Sequence, residues 1–411
     1  MYRKAMQDLM EWKESQRIFW LTGCRGTGKT WLALEYAKNQ YPDHYLYLNM
    51  ESNTYQLIER IQTYLDGLGE QDGLILLDEL SFLPEEVLQE VLGQRFPNQR
   101  FLLISSFPSM CDHLKQWQNE MCCYNLSVMD FEEYLYATGS EWYVGVIEEH
   151  YVSNKPVPDI VHQELMEYFR EYLMTGGFPA LINELLNMGS TENHFMIHQQ
   201  ILHQIYHDLE IAMEGGDALK SKAVLESIPL QLSKSNKVFR YRSIRRGATR
   251  KQYQSAIDFL QANRLVLELR RYTEGKETCQ DEEEEGYKLY YPDTGVLYSM
   301  LQRESTGVEL DDSCLKGIYE NHVALMLQQS KRECTFWESG SQAKIEFLIR
   351  RESDSIPVEI KVDENTRSKS VSIFREKHDI PYSIKLSTRN FDFRKNVKYL
   401  PVYAAFCLKN I

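Results

Sequence analysis

The octapeptide Gly23-Cys24-Arg25-Gly26-Thr27-Gly28-Lys29-Thr30 has the residue types and spacing to hold a phosphate chain. Its pattern is GxxxxGK[ST]. Glycines let successive backbone N–H groups turn inward around an anion. Lys29 supplies a point charge at the β and γ phosphates, and the Thr30 hydroxyl is a ligand for Mg²⁺. Trp31 opens the helix that follows, whose first N–H groups face the same anion. These positions are expected to bind ATP with Mg²⁺.

A second chemical pair is Asp78-Glu79, at the end of the apolar run Leu74–Leu77. Parallel strands present function at their C-terminal ends. Asp78 is expected to hold Mg²⁺, and Glu79 to polarise the water that attacks the γ phosphate. An ordinary strand ending in a solvated acidic pair is the alternative, and the preceding glycine loop argues against it.

A third group lies near the C-terminus. In 343–349, Ile345, Phe347 and Ile349 alternate with Lys344 and Glu346; in 358–362, Val358, Ile360 and Val362 alternate with Glu359 and Lys361. Period-two patterns of this kind are half-buried strands. A hairpin centred on the polar turn at 351–355 puts Glu346 opposite Lys361 and diagonal to Glu359, on one polar face.

The elements that must carry these residues are legible too. The run 17–21 is a buried strand before the glycine loop, and Leu32, Leu34 and Tyr36 start a helix period after it. Further core strands are expected at Tyr45–Asn49 and at Phe101–Ile104, the latter ending in Ser105-Ser106. Strands alternating with helices from 18 to 125 predict a parallel α/β sheet. From Met129 to about Leu186 the pattern is helical. A segment with His194, His198, His203 and His207 follows; its two i,i+4 pairs fall on opposite helix faces. That spacing argues for a polar helix surface rather than a metal site.

Between Lys234 and Lys251 there are eight basic residues and no acidic one, so this segment is a candidate contact for a nucleic-acid backbone. Packing on an acidic neighbour, or simple exposure, is the competing reading. A helical run with Ala256, Ile257 and Leu260 and two short strands near 265–269 and 286–291 then suggest a winged helix. The run Asp281–Glu285 at the hairpin tip would repel DNA, so any contact is expected on the helix side.

The whole chain has 411 residues, enough for two or three domains. Its 46 Lys and Arg against 60 Asp and Glu give a net charge of −14, which excludes a general polyanion binder. No segment approaches the roughly 20 apolar residues of a membrane span. The mixed-charge stretch 1–17 does not read as a secretory signal, and the eight cysteines form no CxxC pair. A cytoplasmic protein with reduced thiols is expected.

Taken together, these landmarks resemble bacterial and archaeal AAA-type ATPases of poorly defined function with a C-terminal PD-(D/E)xK restriction-endonuclease-like domain. The resemblance runs from Tyr2-Arg3 through Phe131-Glu132-Glu133-Tyr134, Gly176-Gly177-Phe178-Pro179 and Asp293-Thr294-Gly295 to Pro357–Lys361. It implies an ATPase domain with a helical lid over 1–190, a helical and winged-helix region over 191–305, and a small α/β nuclease-like domain over 306–411. It implies that Ser105 senses the γ phosphate and that Pro179 packs near the nucleotide. It further implies that Glu346, Glu359 and an outer acid, Glu320, hold Mg²⁺ while Lys361 orients the attacking water. Departures from the family pattern are Gly26 where Gln is usual, Glu346 where Asp is usual, and Lys344 where an acid is usual. The implied function is nucleotide-gated DNA binding or cleavage, or a nucleotide-driven switch whose nuclease fold only binds a partner. Arg25, Arg95 and Arg100 are alternative arginine fingers, and the oligomeric state stays open between them.

Overall fold

The computed structural model describes all residues except 14–15, 53–55, 190–192, 214, 274–285, 305–309, 340–342, 352–353 and 364–368. The acidic run Asp281–Glu285 lies outside the described residues.

Helix α1 (Ala5–Trp12) precedes strand β1 (Ile18–Thr22) and helix α2 (Lys29–Gln40). Then come β2 (Tyr45–Asn49), α3 (Leu57–Leu68), β3 (Leu74–Asp78), α4 (Glu85–Gln89), β4 (Arg100–Ser105) and β5 (Met121–Asn125). The five strands form one parallel sheet in the order β2-β3-β4-β1-β5. Every residue of β3 is buried, as an unbroken apolar strand covered on both faces should be. One face is closed by a cluster around Ile61, Leu77 and Phe101, the other by a cluster around Trp12, Phe19 and Tyr36. Both clusters end at the C-terminal edge of the sheet, where Thr22, Asp78 and Ser105 emerge side by side.

Four helices follow: α5 (Phe131–Ala137), α6 (Trp142–Ser153), α7 (Asp159–Thr175) and α8 (Pro179–Met188). Asp130 starts α5 with a reciprocal cap, accepting from the Glu133 amide at 2.9 Å while Glu133 accepts from the Asp130 amide. Next are α9 (His194–Ala212), α10 (Gly215–Leu232), α11 (Arg250–Ala262) and the antiparallel pair β6 (Leu267–Arg270) and β7 (Tyr287–Tyr290), then α12 (Thr294–Glu304).

The C-terminal unit has α13 (Asp312–Gln329), β8 (Cys334–Ser339), β9 (Ala343–Arg350), β10 (Ser355–Ile360), α14 (Ser370–Arg375), β11 (Ser383–Ser387), β12 (Asp392–Arg394) and β13 (Val397–Pro401). Its strands form a mixed sheet ordered β12-β13-β11-β10-β9-β8. The β9–β10 register differs from the expected one. Val358 pairs with Phe347 and Ser355 with Arg350, which brings Glu346 level with Glu359 rather than with Lys361. The cause is a tighter connection: the Arg351 amide donates to the Asp354 carbonyl at 2.8 Å, closing the hairpin two residues earlier along β10. Because the shift is an even number, Glu346, Glu359 and Lys361 keep their common face.

The expected boundaries near 190 and 305 do not separate the apolar cores. A single cluster runs from Phe131 and Phe169 of the lid helices through Leu225 and Leu297 to Ile318, Phe347 and Tyr403. His322 of α13 lies between Phe169 and Tyr172 of α7, with ring centroids 4.9 and 5.8 Å away. Past β6, the Tyr272 amide donates to the Phe336 carbonyl of β8 at 2.7 Å, tying the small hairpin to the large sheet.

Candidate functional site

The glycine loop leaves β1 and turns with φ of 143° at Gly23, 87° at Gly26 and 90° at Gly28, a region that favours glycine. At Gly23 a Cβ would sit 2.3 Å from the Leu126 carbonyl oxygen, so no larger residue fits there. Lys29 folds back over the loop. Its Nζ donates to the carbonyls of Gly23 at 2.8 Å and Cys24 at 3.1 Å, and to Ser106 Oγ at 3.1 Å. Burial lowers the pKa of this amine, against the pull of Glu79, Cys24 and Asp78. An anion in the loop would restore the charge balance that burial disturbs.

Thr30 Oγ1 donates to Asp78 Oδ2 at 2.7 Å, and Tyr47 donates to the same oxygen at 2.9 Å. A hydroxyl and a carboxylate so paired at the foot of the loop fit the donor set that Mg²⁺ takes beside a nucleotide. Glu79 follows with φ 53° and ψ 53°, a left-handed backbone unusual for a non-glycine residue and frequent at functional sites. Its Oε1 accepts from Ser106 Oγ at 3.3 Å and lies 3.7 Å from an Arg25 Nη. Burial raises the Glu79 pKa, and Arg25 and Lys29 hold it down in part.

The strand-end serine that reaches this network is Ser106. Ser105, expected from the sequence to face the γ phosphate, turns instead to Ser81 at 3.4 Å and Cys111 at 3.6 Å. Neighbouring residues leaving a strand point to opposite sides, which separates the two hydroxyls. Trp31 exposes its ring, 43% of its surface, and its backbone N–H lies in the first turn of α2. The Cys24 thiol is buried and its pKa is pushed up to about 12, so it is no nucleophile.

Three further residues belong to the site. Arg3 is buried and donates from Nη1 to the Thr27 carbonyl at 2.7 Å, from Nη2 to the Ser127 carbonyl at 2.6 Å and from Nε to Glu133 at 3.2 Å. It thereby clamps the loop to the cap of α5. Arg25 pairs through Nε with Asp208 of α9 at 2.7 Å. Asp293 accepts from the Gly177 amide at 2.7 Å and the Val296 amide at 2.8 Å; burial raises its pKa to about 6 against these bonds. Phe178 and Pro179, next to Gly177, pack against Gly26 and Gly28. Arg3 and Asp293 stand in segments the resemblance marked; Asp208 follows His207 and carried no signal of its own.

The other arginine-finger alternatives lie elsewhere. Arg95 is exposed and pairs with Glu90 at 2.9 Å, and Arg100 bonds the Gln16 carbonyl. The histidine helix divides differently from the expected polar surface. His203 and His207 are exposed, but His194 and His198 are buried. His198 meets the Thr175 carbonyl at 3.0 Å, and burial brings its pKa down to about 4.

At the C-terminal unit each expected metal-binding carboxylate meets a lysine. Glu320 lies 3.2 Å from Lys237 and 3.5 Å from Lys288; Glu346 lies 2.6 Å from Lys316; Glu359 lies 3.2 Å from Lys385. Burial would raise the Glu320 pKa, but Lys288, Lys237 and Lys316 outweigh it and lower it. Lys361 lies with Glu320 and Glu346 on the wall of one chamber. Among the described residues no three carboxylate, His or Cys side chains converge as a metal site. A unit charge beside another at 4 Å costs or gains about 4 kcal/mol at an effective dielectric of 20, and a divalent ion doubles it. The lysines therefore make this donor set a poor fit for Mg²⁺.

Of the basic stretch, Lys234, Arg240, Arg242, Arg245, Arg246 and Lys251 are exposed, and none has an ion pair among the described residues. The other two differ: Lys237 is buried against Glu320, and Arg250 is half-buried and donates to Gln254 at 2.9 Å.

Residues 15–135 match the family described as AAA domain. That segment of the chain is similar to an AAA domain. Its sheet order and glycine loop belong to the P-loop ATPase fold. Residues 166–307 match a domain of unknown function, DUF8612, and residues 315–405 match another, DUF4143. Comparison with curated proteins finds no match. Among solved structures, a Walker-type ATPase of Pyrococcus abyssi is 14% identical, with 72% of this chain and 95% of that chain covered and a TM-score of 0.47. AMPPCP-bound DnaA from Aquifex aeolicus is 14% identical, with 64% and 90% covered and a TM-score of 0.32. A DNA replication initiation factor is 15% identical, with 63% and 84% covered and a TM-score of 0.24. At such scores none of the three bears on what this chain does. Among the described residues no helix is long and apolar enough to cross a membrane.

Proposed function

We propose that this chain binds ATP with Mg²⁺ at the glycine loop and hydrolyses it, and that nucleotide state sets the posture of the C-terminal modules. The carrying observation is the network at the ends of β1, β3 and β4 in which Ser106 joins Lys29 to Glu79, and Asp78 accepts from the Glu79 amide and the Thr30 hydroxyl. Mg²⁺ bound there would neutralise charge on the β and γ phosphates. Lys29 would exchange its loop carbonyls for phosphate oxygens. Glu79, held by Ser106 and Arg25, would orient a water and accept its proton. Arg25–Asp208 and Gly177–Asp293 would carry a change at the loop into α9 and the segment before α12. Free thiols, and no helix among the described residues long and apolar enough to span a membrane, fit the cytoplasm.

The reading extends to the middle region as a winged-helix module, where α10 and α11 precede the β6–β7 pair. The six exposed cations of 234–251 support contact with a DNA backbone there. For the nuclease-like unit, the lysine pairing of Glu320, Glu346 and Glu359 favours a binding role over cleavage. The test is ATP turnover by the wild type beside Lys29→Ala and Glu79→Gln, with DNA incubated in Mg²⁺ or Mn²⁺ in parallel. Turnover lost in both variants supports the ATPase reading; turnover retained in Lys29→Ala rejects it. DNA cutting that disappears in Glu359→Ala would restore the nuclease.

A further inference from the structure

The chamber between the middle region and the C-terminal sheet has a volume of about 260 Å³. Five lysines line it: Lys237 before α11, Lys288 of β7, Lys316 of α13, Lys344 of β9 and Lys361 after β10. Three glutamates share the wall, Glu320, Glu338 and Glu346. The described lining thus holds two more cations than anions. Its glutamates are already engaged: Glu320 by Lys237 and Lys288, Glu346 by Lys316, and Glu338 by Arg271 at 2.9 Å. Lys344 reaches the Ser235 carbonyl at 3.4 Å and Glu338 only at 3.9 Å. Lys361 has no carboxylate within ion-pair distance among the described residues.

Lysines gathered from five separate segments cost repulsion and desolvation, which their three glutamates offset only in part. A compact anion supplies the rest. Lysine is suited to this as a mobile point charge, and a phosphate offers several strong acceptor oxygens to several ammonium groups at once. We infer that the chamber is a phosphate-binding site, with Lys361, Lys344 and Lys316 as the groups that meet the phosphate where a nuclease would hold its metal. The phosphate belongs to a small phosphorylated ligand or to the end of a nucleic-acid strand; the chemistry of recognition is the same. The inference rests on the reading of this unit as a binding module.

The experiment uses the full chain carrying Lys29→Ala, so that the glycine loop takes no part. Calorimetric titration with inorganic phosphate, with a 5′-phosphorylated oligothymidylate and with its 5′-hydroxyl counterpart reads the site. Phosphate or the phosphorylated strand is expected to bind. Affinity should fall roughly tenfold or more in Lys344→Ala/Lys361→Ala and recover in Lys344→Ala/Lys361→Arg. Stronger binding of inorganic phosphate assigns a small ligand; stronger binding of the phosphorylated strand over its hydroxyl counterpart assigns a strand end. Either supports the inference. Binding that ignores the two lysines, no binding of any probe, or tight Mn²⁺ binding that Glu346→Gln removes would overturn it. Metal-dependent DNA cutting lost in Glu359→Ala would sink the underlying binding-module reading instead, and ATP turnover of the unaltered chain judges the ATPase reading separately.

Discussion

Arg25 of the glycine loop donates to Asp208 of α9 at 2.7 Å, while its other end lies 3.7 Å from Glu79. One guanidinium therefore joins the residue proposed to activate water to a helix beyond the lid. Arg25 holds the Glu79 pKa down against burial. Replacing it with Gln removes that restraint, so the Glu79 pKa rises. The acidic limb of the kcat/KM profile for ATP hydrolysis should move to higher pH in Arg25→Gln. An unmoved limb would detach Glu79 from the pH dependence.

The two strand-end serines separate cleanly. Ser106→Ala removes a hydroxyl that joins Lys29 and Glu79, and should lower kcat by roughly tenfold to a hundredfold. Among the described residues the Ser105 hydroxyl bonds Ser81 and Cys111, so Ser105→Ala should change kcat by about twofold at most. Steady-state turnover of the two variants checks both statements.

Asp293 couples Gly177 to α12 and has a pKa raised to about 6 by burial. An acid that holds its proton more tightly when folded loses stability as pH rises from its ordinary value of 3.8 to about 6. The loss is on the order of 2–3 kcal/mol for this group. Urea unfolding of wild type and Asp293→Asn between pH 4 and 7 should show the wild type falling relative to the variant across that window. Parallel curves would mean that Asp293 does not titrate there.

The exposed cations give a salt-dependent prediction. If Arg245 and Arg246 meet phosphates, each replacement by Ala should lower the slope of log affinity against log salt by about 1, with little change in sequence preference. Fluorescence anisotropy with a duplex at several salt concentrations measures it. An unchanged slope would move the contact away from this face.

The parallel sheet was readable because its inner strands β1, β3 and β4 are covered on both faces and so appear as unbroken apolar runs. The glycine loop was readable because phosphate chemistry dictates its residue types. Ser106 was not separated from Ser105, since two identical neighbours at a strand end differ only in which way the chain turns. The Glu346 register depended on a connection closing at Arg351 and Asp354, which alternation alone does not reveal. The lysines beside Glu320, Glu346 and Glu359 come from segments up to 83 residues away, as for Lys237 and Glu320, and no local pattern announces such pairings. The burial of His194 and His198 was hidden in the same way, because a helix's partner decides which of its polar faces is wet.

The apolar cluster that runs from Phe131 to Tyr403 has a consequence for how this chain can be taken apart. Phe169 and Tyr172 find their neighbour His322 more than a hundred residues later. A chain shortened to its first 190 or 305 residues would be left with a greasy, half-finished wall and would associate with itself. The parts that look interchangeable along the sequence behave as one inheritance, since a lid borrowed from a relative would arrive without the surface it was shaped against.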